Sequence, residues 1–368
     1  MEDRDQSCGD INAVSVDILF GDAHGSNSHL DNGLQSMSFQ QDPGETAPET
    51  LSEYMDGQNS PPDLLADDDE GYGDGASSPT PSSMTIDSSV YMGTWENERC
   101  YPSYGRHEYG LPIDLDEQKR MELQHAKHEL ILGRHYLAPI GPAPQRILDL
   151  ATGTGLWPIE VADQTPSAQV IGVDVASIAP SLVPPNCSFE IDDIEQTWSW
   201  PKDSFDFIHL REPLFCIRDW DRLFTQMYTH LRPGGWVEIA CTYMRPVRKG
   251  GRLAVNSEFT RACDQLMQAS EAFGTSSRFP PHLAADLRNK GFVNIVENVF
   301  ETPTTPYAAT EVEQKIGLLE MLSLEFGTPS IGLRMMERSF GWSKEQTETQ
   351  LSTFKKGART LRRGAYFQ

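Results

Sequence analysis

The chain has no apolar run of roughly 18 residues, so no membrane span is expected. Its amino terminus has no basic start followed by an apolar stretch, and no secretory signal is read there. It also lacks a Cys-x-x-Cys pair. Cys8, Cys100, Cys187, Cys216, Cys241 and Cys263 are scattered, which argues against zinc-binding and dithiol redox motifs. Ordinary reduced thiols and no metal site are expected, in a cytoplasmic or nuclear protein. Runs of Lys and Arg are missing too, so no direct nucleic-acid binding is expected.

Basic residues are scarcest at one end. Residues 1–90 hold 19 Asp/Glu against Arg4 alone, which places −18 of the formal −24 there. The other 278 residues hold 35 acids and 29 bases, a net −6. A hydrophobic content of 38% is low for a chain folded throughout its 368 residues. Residues 1–88, typified by DDDEGYGDGASSPTPSS, cannot bury enough apolar surface to offset the entropy of ordering, and they read as a disordered acidic tail. Within the tail, INAVSVDILF (11–20) alternates enough for a transient strand or a docking motif.

Residues 89–368 read as one domain: an N-terminal cap over 89–145, a core sheet over 146–300 and C-terminal helices over 301–368. Asp114 starts a helix over 114–132, with acids in its first turn. Strands are expected at 146–151, 169–174, 187–191, 205–210 and 235–240, and helices near 156–164, 219–231 and 257–270. Segment 280–300 reads as a further helix, a stop at Gly291 and a sixth strand. Residues 308–326, 331–340 and 343–356 read as helices. Strands alternating with helices over short loops predict an α/β fold with a doubly wound, mostly parallel sheet.

The most informative stretch is RILDLATGTG (146–155), a buried strand entering a tight glycine turn. A helix follows, then a strand ending on Asp174. This is the layout of a nucleotide-type cofactor site at the carboxyl edge of a parallel sheet. Gly153 and Gly155 supply the first two glycines of a dinucleotide fingerprint, but Pro158 stands at the third position, which argues against NAD or FAD. Asp149, Asp174 and the pair Asp192/Asp193 sit at successive strand ends. Several carboxylates around one site suit a cofactor with a cationic head and no phosphate, as in S-adenosylmethionine. Asp149 would face its amino-acid end, Asp174 its ribose diol, and Asp192 or Asp193 its adenine amine.

DLATGTGLWPIEVAD, VIGVDVASIAPSLVPPNCSFEIDDIEQTW, FDFIHLRE and HLRPGGWVEI resemble the LaeA-like methyltransferases of filamentous fungi, from about Tyr91 to Ala358. The resemblance implies a class I, Rossmann-like fold that binds S-adenosylmethionine through Asp149, Gly153, Gly155, Asp174 and Asp192/Asp193. It implies a place in secondary metabolism, as a regulator with velvet-domain partners or as a tailoring enzyme. The alternative is a non-catalytic cofactor-binding scaffold that docks transcriptional regulators. In this architecture His209, Arg211 and Glu212 end the fourth strand and face the methyl group. His209 is the candidate base, and Arg211, Glu212 and Tyr243 are candidates for the acceptor pocket. The cap helix brings His125 or His128 toward the cofactor, and Trp157 packs at its methionine end. Two departures stand out. Ala151 replaces the first glycine of the loop, and cofactor binding is expected to survive if it keeps a negative φ. The chain stops at Gln368, so either the seventh, antiparallel strand is cut short or another segment fills its slot.

Overall fold

The computed structural model describes residues 13–18, 93–248, 252–253, 258–277, 280–360 and 366–367. At its centre is a seven-stranded sheet. In chain order its strands are β1 (Ala13–Ile18), β4 (Arg146–Leu150), β5 (Gln169–Asp174), β6 (Cys187–Ile191), β7 (Phe205–Arg211), β8 (Leu231–Cys241) and β11 (Val293–Asn298). Their spatial order is β11-β1-β8-β7-β4-β5-β6, and every neighbouring pair is parallel. The small strands are β2 (Thr94–Glu96) with β3 (Arg99–Tyr101), and β9 (Val247–Arg248), β10 (Arg252–Leu253), β12 (Thr302–Pro303) and β13 (Tyr366–Phe367).

The helices are α1 (Leu115–Leu132), α2 (Leu156–Gln164), α3 (Trp220–His230), α4 (Glu258–Phe273), α5 (Leu283–Asn289), α6 (Glu311–Phe340) and α7 (Lys344–Thr360). The central strands read as near-continuous apolar runs because helices cover both faces. Ile147, Leu148 and Leu150 of β4 are fully buried, as are Phe205, Phe207, Ile208 and Leu210 of β7.

Two expectations are corrected here. The slot of the seventh strand, between β8 and β11, is filled by β1 from the amino-terminal segment, and its direction is parallel. Residues 13–18 lie in the run read as a transient strand or docking motif, and the rest of 1–88 lies outside the described residues. The carboxyl-terminal β13 goes elsewhere: Tyr366 pairs with Val247, and Thr302–Pro303 flanks it on the other side. Next, the helices expected at 308–326 and 331–340 are one helix, α6, which runs through Pro329. The bond that Pro329 cannot give to the Glu325 carbonyl is tolerated because α6 packs on α1, α4 and α7.

The cap helix α1 starts as expected. The Asp114 carboxylate accepts from the Glu117 N–H, and Gly133 ends the helix with a left-handed φ of 65°. Its buried face is polar, however, carrying Glu117, Gln124, His125, Lys127 and His128. Such a face is stable only if its partners supply matching groups, and those partners belong to the site.

Candidate active site

The carboxyl edge of the sheet holds three clefts that run into one another. The first, ≈ 540 Å³, is lined by Tyr104, Asp174, Asp192, Asp193 and Arg218, among others. The second, ≈ 710 Å³, is lined by Met121, Asp149, Gly153, Trp157, His209 and Arg211, among others. The third, ≈ 460 Å³, lies between α1, α6 and the ends of β7 and β8. Tyr109, Ala151, Asp174 and Cys216 line both the first and the second. Leu111, Arg120, Gln124 and Glu212 line both the second and the third.

The glycine turn divides the first two clefts. The Gly153 N–H donates to Asp174 Oδ2 at 2.8 Å, and the Ala176 N–H donates to Oδ1 at 3.0 Å. Asp174 is half-buried with no cation beside it, and desolvation pushes its carboxyl up to about 6 despite these bonds. A pair of ribose hydroxyls is the kind of donor such a carboxylate lacks. Gly155 has φ +75°, and a Cβ there would collide with the Phe189 ring, so this glycine makes room for β6 rather than for a ligand. Pro158 sits in the first turn of α2, where no backbone donor is needed. Ala151 does not keep a negative φ: it stands at +52°, a left-handed conformation that its Cβ disfavours.

Asp149 is buried on β4. Its Oδ1 lies 2.6 Å from His209 Nδ1, and its Oδ2 accepts from the Thr152 hydroxyl at 2.6 Å. With Asp149 ionised, the Nδ1–H donates to it and the ring's lone pair is left on Nε2. Burial lowers the His209 pKa, so the ring is neutral near pH 7. Trp157 stacks on this ring and donates its indole N–H to the His135 carbonyl at 2.7 Å. Asp192 and Asp193 line the first cleft as expected, where Asp193 Oδ2 accepts from the Arg106 N–H at 3.0 Å.

The ends of β7 and β8 meet the cap helix. Glu212 has φ +51° and accepts from the Thr242 hydroxyl at 2.6 Å and from His128 Nε2 at 2.8 Å. Lys127, His128 and Thr242 hold its carboxyl well below the usual range. Arg211 does not pair with Glu212: its Nη2 donates to His125 Nδ1 at 2.6 Å, and its Nη1 is buried without a partner. Tyr243 is buried but lines none of the three clefts, because strand alternation turns its neighbour Thr242 into the third.

Sequence reading missed Arg120, Gln124, Thr242 and Glu320. The signal for the first two was the polar stripe Glu117, Arg120, Gln124 and Lys127 at helical spacing on α1. Arg120 pairs with Glu117 at 2.8 Å. Gln124 donates to Ser323 at 2.6 Å and to Glu320 at 3.2 Å. Lys127 meets Glu320 at 2.9 Å and the Thr242 hydroxyl at 3.1 Å.

His125, Glu129 and Glu160 lie close enough to hold an ion. Their hydrogen bonds speak against it. Arg211 donates to His125 Nδ1, so the ring carries its proton on Nε2 and gives it to Glu160 at 2.9 Å. That leaves no lone pair for a metal.

Comparison with known proteins agrees with this geometry. Residues 123–294 match a family described as "Methyltransferase domain". The methyltransferase pytC of Aspergillus terreus is 32% identical over 276 residues, covering 74% of this chain and 85% of pytC. The secondary metabolism regulator LAE1 of Cochliobolus heterostrophus is 31% identical over 67% of this chain and 82% of its own length. The protein-methionine methyltransferase laeA of Emericella nidulans is 32% identical, covering 69% of this chain and 68% of laeA.

The chain belongs to the LaeA-like methyltransferases. Its cofactor is S-adenosylmethionine, and its relative LAE1 is named a regulator of secondary metabolism. The donor set fits the cofactor: a half-buried carboxylate at Asp174 with no cation beside it, a turn backbone at Gly153 bonded to that carboxylate, and an unpartnered guanidinium nitrogen on Arg211.

Proposed function

We propose that this protein transfers the methyl group of S-adenosylmethionine to an acceptor bound in the third cleft. The carrying observation is the continuity of the three clefts through shared walls. Asp192 and Asp193 hold the adenine end and Asp174 the ribose. Asp149, Gly153 and Arg211 hold the amino-acid end. When bound, the cofactor supplies an electrophilic methyl on a sulfonium. The walls then have mainly to align the acceptor, which can account for ~7–11 kcal/mol of a two-body barrier. Where the acceptor must lose a proton, His209 is the candidate base, because Asp149 fixes its tautomer and its lowered pKa keeps it unprotonated. Glu212 is too weak a base for this, since its proton affinity is held low.

We place the protein in the cytoplasm, the nucleus or both, acting on a pathway product or, with a velvet-domain partner, as a regulator. The name of LAE1, a secondary metabolism regulator, supports the second arm. Tritiated S-adenosylmethionine, incubated with the protein and an extract of a strain lacking it, tests the proposal. Label is expected in acceptor material and is lost in Gly153→Arg. If no label transfers while deletion of the protein still alters the metabolite profile and Gly153→Arg does not, the scaffold reading replaces this one.

A further inference from the structure

We infer that the third cleft selects a small acceptor with an apolar body and no negative charge. This rests on the methyl-transfer reading above and specifies its substrate class. Arg120 is paired with Glu117 at 2.8 Å. Glu320 is paired with Lys127 at 2.9 Å, and Glu212 lies 3.8 Å from the same Lys127 nitrogen. Glu212 also accepts from His128 and Thr242, and Ser323 accepts from Gln124. Glu117, Glu212 and Glu320 thus face only Arg120 and Lys127, which leaves the wall one carboxylate in excess and both cations already paired. An anionic acceptor would lose its hydration and find no free cation, which is costly in a buried site.

The rest of the lining is apolar: Leu111, Leu214, Phe215, Met244, Leu324 and Ile331. An uncharged ring or short chain gains burial against this surface. The cleft is also roofed. Helix α6 packs along α1, and Gly327 of α6 lies so close to Arg120 that a Cβ there would collide with that side chain. A cleft walled by two helices packed this closely admits a small molecule and not a folded surface. The cleft joins the methionine cleft at Arg120, Gln124 and Glu212, so an occupant is placed next to the transferable methyl.

The test uses 2-naphthol and 2-naphthoate, one ring system with a neutral or an anionic substituent. Each is titrated by calorimetry into the full-length protein saturated with S-adenosylhomocysteine. Naphthol is expected to bind at least ten-fold more tightly than naphthoate. Met244→Trp and Leu324→Trp are each expected to abolish naphthol binding while S-adenosylhomocysteine affinity stays within two-fold, which shows the fold intact. The inference is overturned if naphthoate binds as well as naphthol, if neither binds at millimolar concentration, or if naphthol binding survives both tryptophans. It is also overturned if a methionine-containing peptide displaces naphthol and takes label from tritiated S-adenosylmethionine, since the acceptor is then a protein side chain. Failure of S-adenosylhomocysteine to bind the unaltered protein would instead remove the methyl-transfer reading.

Discussion

Trp157 lies flat against His209, with ring centroids 3.7 Å apart and planes 4° from parallel. The stack joins α2 to the middle of the sheet and fixes the ring that bonds Asp149. His209→Phe retains an aromatic ring and leaves Asp149 Oδ1 without its donor. It is expected to cost about 1–3 kcal/mol, the range for an orphaned buried acceptor. Trp157→Ala removes the stack and opens a cavity, and should cost about 3–5 kcal/mol. Urea unfolding of both variants measures the two separately. Equal losses would show that the hydrogen bond to Asp149 matters as much as the stack.

Ala151 occupies a left-handed backbone position at φ +52°. Ala151→Gly relieves that strain, and the added freedom of the unfolded chain offsets only part of the gain. A net stabilisation of about 0.5–1 kcal/mol is expected in urea unfolding. A loss of stability would mean that the methyl group packs better than its backbone angle suggests.

Asp174 has its carboxyl raised to about 6 by burial. Its ionised form is the one that accepts from ribose hydroxyls. Below pH 6 the free protein holds a proton there that must leave on binding. S-adenosylhomocysteine affinity should therefore fall by up to about ten-fold per pH unit from 6 toward 4, and be flat above 7. The same linkage acts on stability with the opposite sign. The unfolded carboxyl ionises near 3.8, so this group favours the folded state at low pH and loses that contribution as pH rises through 6. Asp174→Asn should bind weakly and without the pH slope; a slope that persists in this variant would assign it to another group.

Arg211 has a buried guanidinium nitrogen without a partner, on the wall of the methionine cleft. The cofactor's carboxylate is the group in this reading that can take it. Arg211→Met should weaken S-adenosylhomocysteine about ten- to one-hundred-fold, the range of one charge-assisted hydrogen bond. It should leave 5′-deoxy-5′-methylthioadenosine, which lacks the amino-acid end, within two-fold. Equal weakening of both ligands would rule out this role.

Strand β1 pairs on both sides, with Val16 opposite Ile239 and Glu297. A proline cannot donate to either ladder. Val16→Pro should lower the melting temperature, and removal of residues 1–23 should lower it at least as much. Unchanged melting in both would show that the sheet does not depend on this strand.

The sequence carried the cofactor half of the site well because that half is local. Asp149, the glycine turn and Asp174 lie within 26 residues of one another, and the turn bonds both: the Thr152 hydroxyl donates to Asp149 and the Gly153 N–H to Asp174. The acceptor half was hidden because it is built from distant pairs. Gln124 meets Ser323 and Lys127 meets Glu320, contacts that no local periodicity records. Arg211 and Tyr243 were misplaced for a related reason: alternation says which face a side chain takes, not which partner waits there. The apolar alternation at 11–20 was visible, but nothing in it named the slot it would fill.

That slot has a consequence for how the molecule is made. Ala13 lies opposite Val293, 280 positions later in the chain. A ribosome delivers β1 among the first segments, while β11 emerges only after most of the domain. Until then the early strand has no second neighbour, and β8 and β11 cannot be joined. Contacts this remote slow folding, and the unpaired strands invite association with other chains. The finished sheet therefore closes late in synthesis, when its earliest strand gains its second neighbour.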